Sequence, residues 1–306
     1  MSFAAIRTVG LSFGYGKGIL LDHINMQIGQ GHIYGLLGLN GAGKTTLMKL
    51  ILGILSPQKG HAELFGRKVH PAHPEVFSRI GSLVSRPHLY PHLTAERQLQ
   101  VHCAYRGLSP EVIPEVLRLV GMSHASHRLI RQFSTGMRRR LALAQALLTE
   151  PDLLLLDEPA NGLDPEGIAD VRTLLLDINR QRGTSILMSS HLLSEVEQTC
   201  THVGILTGGT LQFEGSLEAL RELIPTSSLD IETDNPDRAM HILKQSCISS
   251  RRLQGTAQLR ISAIERVDIP DIIDLLRAEK IHLYRVEPRT KSLEELFFHI
   301  SQSRSV

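Results

Sequence analysis

The sequence has no apolar run long enough to cross a membrane, no excess of charge of one sign and few cysteines. No stretch reaches the roughly 18 apolar residues of a membrane span, so any membrane role would require a second chain that spans it. The 33 Lys and Arg residues nearly balance 31 Asp and Glu residues, leaving a net charge of +2. Charge therefore does not point to nucleic acid as a partner. The cysteines, Cys103, Cys200 and Cys247, show no C-x-x-C spacing, which is typical of a reducing compartment.

Length and segment patterns predict a large domain followed by a small one. A chain of 306 residues suits this division. Residues 1–10 contain no long apolar core, so no signal peptide is predicted and a cytoplasmic protein is expected. Segments 3–9 and 19–28 flank a glycine-rich turn and predict antiparallel strands. Residues from about 86 to 150 predict a mainly helical subdomain inserted into an α/β core.

The C-terminal part predicts a separate α+β unit. Residues 224–228 predict a linker, so the domains are placed at 1–225 and 226–306. The second domain shows the order β-α-β-β-α-β of a ferredoxin-like unit, with a last helix over 292–301. No catalytic constellation is evident in it.

A glycine-rich segment over residues 38–46 is the most specific motif. It consists of Gly38, Leu39, Asn40, Gly41, Ala42, Gly43, Lys44, Thr45 and Thr46. The segment matches G-x-x-x-x-G-K-T, the phosphate-binding loop, and lies between a strand-like and a helix-like segment, as that motif requires. Glycines let backbone N–H groups approach an anion closely, Lys44 supplies a cation for the outer phosphates, and the Thr45 hydroxyl can bind Mg²⁺. A chance glycine turn is the alternative, and the later motifs argue against it.

Two acidic residues end a strand that is predicted to be buried on both faces. Four leucines at 153–156 indicate a strand of a parallel sheet, and Asp157 and Glu158 follow. Open α/β sheets bind ligands at the carboxyl ends of their strands. Asp157 is therefore predicted to bind Mg²⁺, and Glu158 to orient or deprotonate the water that attacks the γ-phosphate. His191 follows the predicted strand 185–190 and is interpreted as a γ-phosphate contact.

Two further features allow two interpretations each. Tyr15 at the tip of the first turn is either a surface aromatic or a ring on which adenine stacks, and the sequence favours neither. The run Arg138-Arg139-Arg140 is either a nucleic-acid patch or, as charge runs usually are, a solvated helix face. We favour the solvated face.

The order of the motifs resembles the nucleotide-binding subunit of an ABC transporter over residues 3–225. Between the phosphate loop and the acidic strand end lies Phe133-Ser134-Thr135-Gly136-Met137, and Asn161-Gly162-Leu163-Asp164 follows. The resemblance implies that Ser134 and Gly136 form the signature loop, Leu163 and Asp164 the D-loop, His191 the switch histidine and Tyr15 the adenine-stacking aromatic. It also implies a head-to-tail pair of ATPase domains, as a homodimer or with a sister subunit. In that pair, Ser134 and Gly136 would contact the ATP of the partner protomer.

The chain departs from the common family pattern at two loops. The usual Ser-Gly-Gly-Gln of the signature is Ser134-Thr135-Gly136-Met137 here, which retains the hydroxyl and the second glycine. The usual glutamine of the Q-loop falls on Ser85. Serine is too short to copy the reach of glutamine, so a contact between Ser85 and Mg²⁺ is left open, as is the usual link to the membrane partner.

The details resemble one subgroup, the bacitracin- and lantibiotic-type exporter ATPases. The cues are the Ser-Thr-Gly-Met signature, the atypical Q-loop before residues 87–91 and the ending at 292–297. This implies an ATP- and Mg²⁺-dependent ATPase on the inner face of the membrane that powers a separate permease and exports a peptide antibiotic or hydrophobic drug. The alternatives are a weakly hydrolysing ATP-binding regulator, motivated by Ser85, and a soluble ABC-type ATPase acting on ribosomes or DNA.

Overall fold

A computed structural model describes residues 4–16, 18–84, 88–191, 193–222, 228–253, 258–262, 268–289 and 297. Backbone contacts divide the chain into two units, residues 1–217 and 218–306, so the boundary falls somewhat before the predicted position at 225/226. Three predicted features lie outside the described residues: Ser85, most of the linker, and the last helix apart from Phe297.

The first unit alternates strands and helices. Its elements are β1 (Ile6–Phe13), β2 (Leu21–Ile28), β3 (Ile33–Leu37), α1 (Lys44–Ile51), β4 (Lys59–Leu64), β5 (Arg67–Lys68), β6 (Ile80–Leu83), α2 (Ala95–Arg106), α3 (Ile113–Leu119), α4 (Thr135–Leu147), β7 (Leu153–Asp157), α5 (Pro165–Arg182), β8 (Ser185–Ser190), α6 (Leu193–Thr199), β9 (His202–Thr207) and β10 (Thr210–Ser216). Short 3₁₀ helices cover Pro74–Arg79, Pro110–Val112, Ser123–Ala125 and Ile130–Gln132. A further helix, α7 (Leu217–Glu222), crosses the boundary between the units.

Two sheets form the framework of the first unit. The predicted antiparallel strands pair in a sheet of order β2-β1-β4-β5. The second sheet has the order β10-β9-β3-β8-β7-β6 and is parallel except for the β9–β10 hairpin. The four leucines of β7 are fully buried, as expected of a strand covered on both faces. Because β3, β7 and β8 are parallel neighbours, their carboxyl ends meet at one edge of the sheet.

The inserted segment between β6 and β7 carries α2, α3 and α4. Thr94 caps α2 by accepting a hydrogen bond from the Arg97 N–H, and the helix ends at Gly107, where φ is 66°. The sequence pattern of residues 111–121 predicts a single helix, but a 3₁₀ helix (Pro110–Val112) followed by α3 covers this segment. Pro114, which lacks an N–H, suits the first turn of α3 and interrupts a helix that begins earlier.

The second unit has the predicted β-α-β-β-α-β order. It contains β11 (Ser228–Thr233), α8 (Pro236–Gln245), β12 (Ser250–Arg252), β13 (Gln258–Ile261), α9 (Asp268–Ala278) and β14 (Leu283–Arg289). The strands form an antiparallel sheet of order β12-β13-β11-β14. Alternate residues of β11 are buried, as in a sheet with one covered face. Within the described part of the chain, no helix combines the length and the apolar character that a membrane crossing requires.

Candidate nucleotide site

The phosphate loop joins β3 to α1. Gly41 and Gly43 adopt φ values of 84° and 103°, a left-handed region that favours glycine. A Cβ at Gly38 would lie 2.6 Å from the Leu206 carbonyl oxygen, so this position also requires glycine. Helix α1 begins at Lys44 directly after the loop, and the positive end of a helix attracts anions. The loop therefore has the geometry of an anion site.

Lys44, the first residue of α1, is only 6% exposed. Its Nζ donates hydrogen bonds to the carbonyl oxygens of Gly38 at 2.8 Å and Leu39 at 3.2 Å. Burial lowers the pKa of the Lys44 ammonium, and the nearby Glu158 and Asp157 carboxylates oppose that shift. The ammonium is thus held by neutral carbonyl oxygens, which an anionic phosphate oxygen can replace.

A chain of hydrogen bonds joins the loop to the acidic strand end. The Thr45 hydroxyl donates to Asp157 Oδ2 at 2.7 Å, and the Ser189 hydroxyl donates to Asp157 Oδ1 at 2.6 Å. The Glu158 N–H in turn donates to Ser189 Oγ at 2.9 Å. Asp157 and Ser189 are partners across the parallel β7–β8 pair, which explains why they meet. A hydroxyl beside a single carboxylate is a donor set that fits Mg²⁺, since that ion usually takes one or two carboxylates and completes its shell with water and phosphate oxygens.

Glu158 carries two side-chain contacts next to this chain. Its Oε2 accepts a hydrogen bond from Asn161 Nδ2 at 2.8 Å, and its Oε1 lies 3.4 Å from His191 Nδ1. The Glu158 backbone has a φ of 48°, which is uncommon for a residue with a side chain. The structure thus brings together Lys44, Thr45, Asp157, Glu158 and His191, which the sequence singled out separately.

The signature residues form a second, separate feature. Ser134 caps α4, and its Oγ accepts a hydrogen bond from the Met137 N–H at 3.2 Å. A Cβ at Gly136 would lie 3.3 Å from Leu163 Cδ2, so the head of α4 packs closely against the loop after β7. Among the described residues, no hydrogen bond joins Ser134 to the phosphate loop. One copy of the chain therefore presents two distinct candidate phosphate sites.

Tyr15 lies at the tip of the β1–β2 turn and is 60% exposed. Its ring contacts Phe13 edge-on, with centroids 5.0 Å apart and planes at 90°. Phe13 thus supports the ring while most of its surface remains open. Both interpretations of Tyr15 remain consistent with this geometry.

The sequence interpretation missed Ser189 and was wrong for Arg139. The Arg138–Arg140 run was assigned to a solvated helix face, but the Arg139 guanidinium contacts the backbone after β7, and Arg140 pairs with Asp170 at 2.9 Å. Burial lowers the pKa of Arg139, while Asp157 and Glu158 act in the opposite direction. Of the three arginines, Arg138 is exposed, and Arg139 and Arg140 are partly buried. No spacing rule could have found Arg139, because its partners lie far along the chain and packing alone brings them close.

Comparison with known proteins agrees with this geometry. A sequence profile of the ABC transporter family matches residues 21–161. The chain is 40% identical over 241 residues to the bacitracin transport ATP-binding protein BcrA of Bacillus licheniformis, covering 78% of each protein. It is 37% identical to the lantibiotic transport ATP-binding protein SrtF of Streptococcus pyogenes, covering 71% of this chain and 95% of that one.

A solved structure of the ATP-binding subunit of an ABC transporter superposes with a TM-score of 0.66 and 29% identity, covering 72% of this chain and 92% of that chain. The chain thus belongs to the ABC transporter family, as an ATP-binding subunit. Members of this family are ATPases, and its cassettes bind nucleotide. The predicted family, subgroup and fold class are confirmed.

Proposed function

We propose that this chain hydrolyses ATP at the carboxyl ends of β7 and β8, in an ABC exporter with a separate permease. The observation that carries the proposal is the hydrogen-bonded chain from Thr45 through Asp157 and Ser189 to Glu158. It joins the phosphate loop to the two acids at one edge of a rigid sheet. Preorganised groups of this kind are what phosphoryl transfer requires, since positioning and electrostatics supply most of its catalysis.

Each residue takes a defined role in this proposal. The backbone of residues 38–46 cradles the phosphates, and Lys44 exchanges its carbonyl partners for outer phosphate oxygens. Thr45 and Asp157 hold Mg²⁺, which when bound neutralises charge on the phosphate oxygens. Glu158 orients the attacking water and accepts its proton, while His191 holds the Glu158 carboxylate and contacts the γ-phosphate. Tyr15 stacks on adenine.

The signature loop completes the site of a second protomer. Ser134 heads a helix of 13 residues, and a serine hydroxyl with free N–H groups at a helix start attracts an anion. The phosphate loop of the same chain already provides one cradle, and Ser134 makes no hydrogen bond to it among the described residues. Ser134 and Gly136 therefore contact ATP bound to a partner, either a second copy or a sister subunit. ATP binding then favours the dimer and hydrolysis releases it.

The partner in the membrane is a permease, and the cargo is a peptide antibiotic or a hydrophobic drug. The names of the bacitracin and lantibiotic transport proteins support this assignment. The chain then resides peripherally on the inner face of the membrane. Nucleic acid is not a partner, and the engagement of Arg139 and Arg140 within the fold supports this exclusion.

Substitution Glu158→Gln tests the proposed hydrolysis. The variant retains the side-chain shape but cannot accept a proton, so ATP turnover is expected to fall at least about 100-fold. An ATP-dependent dimer should accumulate, measured by size-exclusion chromatography with light scattering. Glu111→Gln removes a carboxylate at an exposed position and should behave as wild type. Wild-type turnover in Glu158→Gln would remove Glu158 from its role.

Affinity purification from native membranes tests the proposed partner. A tagged chain should retain a polytopic membrane protein in mild detergent. Recovery of ribosomes or DNA in its place would favour the soluble alternative and contradict the proposal.

A further inference from the structure

Arg139 links the signature helix to the backbone that carries the proposed catalytic acid. It lies in the second turn of α4, in the same helix that Ser134 caps. Its Nη2 donates to the carbonyl oxygens of Asp157, at 2.7 Å, and of Glu158, and its Nε donates to the carbonyl oxygen of Pro159 at 3.1 Å. One guanidinium thus donates hydrogen bonds to the carbonyl oxygens of three successive residues.

The backbone that Arg139 contacts is in an unfavourable conformation. Strand β7 ends at Asp157, and Glu158 then turns with a φ of 48°. Left-handed backbone at a residue with a side chain persists only where the surroundings enforce it. The Asn161 N–H donates to the Glu158 carbonyl at 3.1 Å, and Arg139 also contacts the carbonyl oxygens of the residues on both sides of Glu158. The planar fork of a guanidinium suits this task because its donors are fixed relative to one another.

Contacts at the head of α4 reinforce the same connection. A Cβ at Gly136 would approach Leu163 Cδ2 to 3.3 Å, and a Cβ at Gly162 would approach Thr135 Cγ2 to 3.4 Å. The helix start and the loop after Glu158 therefore pack against each other. A shift of α4 would therefore disturb the backbone turn at Glu158. Arg139 supplies the hydrogen bonds in this contact between α4 and the turn.

We infer that Arg139 is a positioning residue for ATP hydrolysis, which holds the backbone turn that directs the Glu158 side chain. This inference rests on the role proposed above for Glu158. Arg139 makes its contacts to main-chain oxygens, while Asn161 and His191 hold the carboxylate itself. Removal of Arg139 leaves the phosphate loop, Thr45 and the Asp157 carboxylate with their own partners. The expected defect is therefore in the rate of hydrolysis and not in the binding of ATP.

Steady-state and binding measurements on the full chain test this inference. Arg139→Ala is expected to lower kcat roughly 10- to 100-fold, since misplacement of a catalytic group by about 1 Å has effects of this size. The dissociation constant for ATP, measured with a fluorescent ribose-labelled analogue, should be unchanged. Arg138→Ala is the matched control, because it removes the same charge from the neighbouring exposed position. It should leave both quantities as in wild type.

Arg139→Lys gives a second variant if Arg139→Ala does not fold, as judged by circular dichroism and thermal unfolding. Lysine keeps the charge but offers one ammonium in place of a planar fork. A smaller fall in kcat, again with unchanged ATP affinity, is expected. Wild-type kcat in both Arg139 variants would overturn the inference.

The ATP-trapped dimer separates positioning from a general structural role. In the double variant Arg139→Ala with Glu158→Gln, ATP should still produce the dimer, because dimer formation uses Ser134 and the phosphate loop. Loss of the dimer would show that Arg139 acts on α4, which contradicts the inference. The Glu158→Gln variant alone reports on the proposed function. If Glu158→Gln abolishes turnover while Arg139→Ala does not, the inference fails and the proposed function stands.

Discussion

Two carboxylates, Asp157 in the first unit and Asp230 in the second, differ in the groups that hydrogen-bond to them: neutral hydroxyls at Asp157 and guanidinium groups at Asp230. The oxygens of Asp157 accept hydrogen bonds from the neutral hydroxyls of Thr45 and Ser189. Among the described residues, no Arg or Lys forms an ion pair with Asp157. Both carboxylate oxygens are therefore oriented by neutral donors, while the Lys44 and Arg139 cations act on Asp157 without a direct ion pair. This arrangement leaves the oxygens available to a metal ion.

Asp230 is neutralised by arginines on neighbouring strands. Arg260 donates to both of its oxygens at 2.7 and 2.8 Å, and Arg289 Nε lies 3.0 Å from Oδ2. The hydrogen bond from Arg260 is the main reason that the pKa of Asp230 lies below its ordinary value, although burial acts in the opposite direction. Such a bidentate pair stabilises structure and leaves little charge for a ligand. The difference separates a candidate reaction site from a structural ion pair.

The largest expected effect comes from Asp157→Asn. Asparagine can still accept the Thr45 hydrogen bond but carries no charge for Mg²⁺. Because metal stabilisation of the transition state is worth several kcal/mol, turnover should fall by roughly 1,000-fold. ATPase assays over a range of Mg²⁺ concentrations measure this loss. Unchanged turnover and Mg²⁺ dependence would place the metal elsewhere.

Asp230→Asn should lower local stability and leave ATP turnover unchanged. Removing the charge leaves the partly buried Arg260 guanidinium and the exposed Arg289 guanidinium poorly paired, which costs about 1–3 kcal/mol of local stability. Amide hydrogen exchange on β11 and β13 measures the effect, which is expected as faster exchange there. The kcat for ATP should be unchanged. A fall in kcat without faster exchange would break the distinction between the two carboxylates.

Ser189→Ala should produce a moderate loss of activity. It removes one hydrogen bond to Asp157 and the acceptor of the Glu158 N–H, so kcat should fall about 5- to 10-fold, equivalent to about 1 kcal/mol. Ser185→Ala at the other end of β8 is the control, because it also loses a hydrogen bond, to the Gly31 N–H at 2.9 Å. The control should match Ser189→Ala in stability and retain wild-type kcat. Equal kcat in the two variants would contradict the proposed role of this strand end.

The smallest expected effect is the pH dependence of the stability that Asp230 contributes to the second unit. A carboxyl whose pKa is lowered by folding contributes stability that is complete above its unfolded pKa, about 3.9 for Asp, and that is lost as pH falls through the lower folded value. The difference in β11 exchange protection between wild type and Asp230→Asn should therefore persist at neutral pH and shrink as the pH falls below about 4. A difference that grows with acidification would have the wrong sign.

Much of the site could be predicted because it depends on local patterns. The sequence alone identifies the glycines that permit positive φ at 41 and 43 and the four leucines of β7. It also identifies the residues that follow the strand ends. The parallel arrangement then brings Lys44, Asp157, Glu158 and His191 to one edge. The order of elements in the second unit was also predictable, since its strands and helices show distinct periodicities.

Other features depended on contacts between distant segments. Arg139 looked like part of a solvated run because three adjacent arginines usually face water. The packing of α4 on the loop after β7 partly buries it instead and gives it backbone partners. Ser189 is one of several small polar residues in β8, and the register against Asp157 selects it. The pairing of Asp230 with Arg260 likewise follows from strand register.

The sequence by itself determined the phosphate loop, the acidic strand end and the family, because steric freedom, hydrophobic patterning and motif order are properties of the chain. Only the tertiary structure decided which polar groups meet. Hydrogen bonds act over about 3 Å, and the segments that carry Asp157, Ser189 and Arg139 are brought within that distance by strand pairing and helix packing.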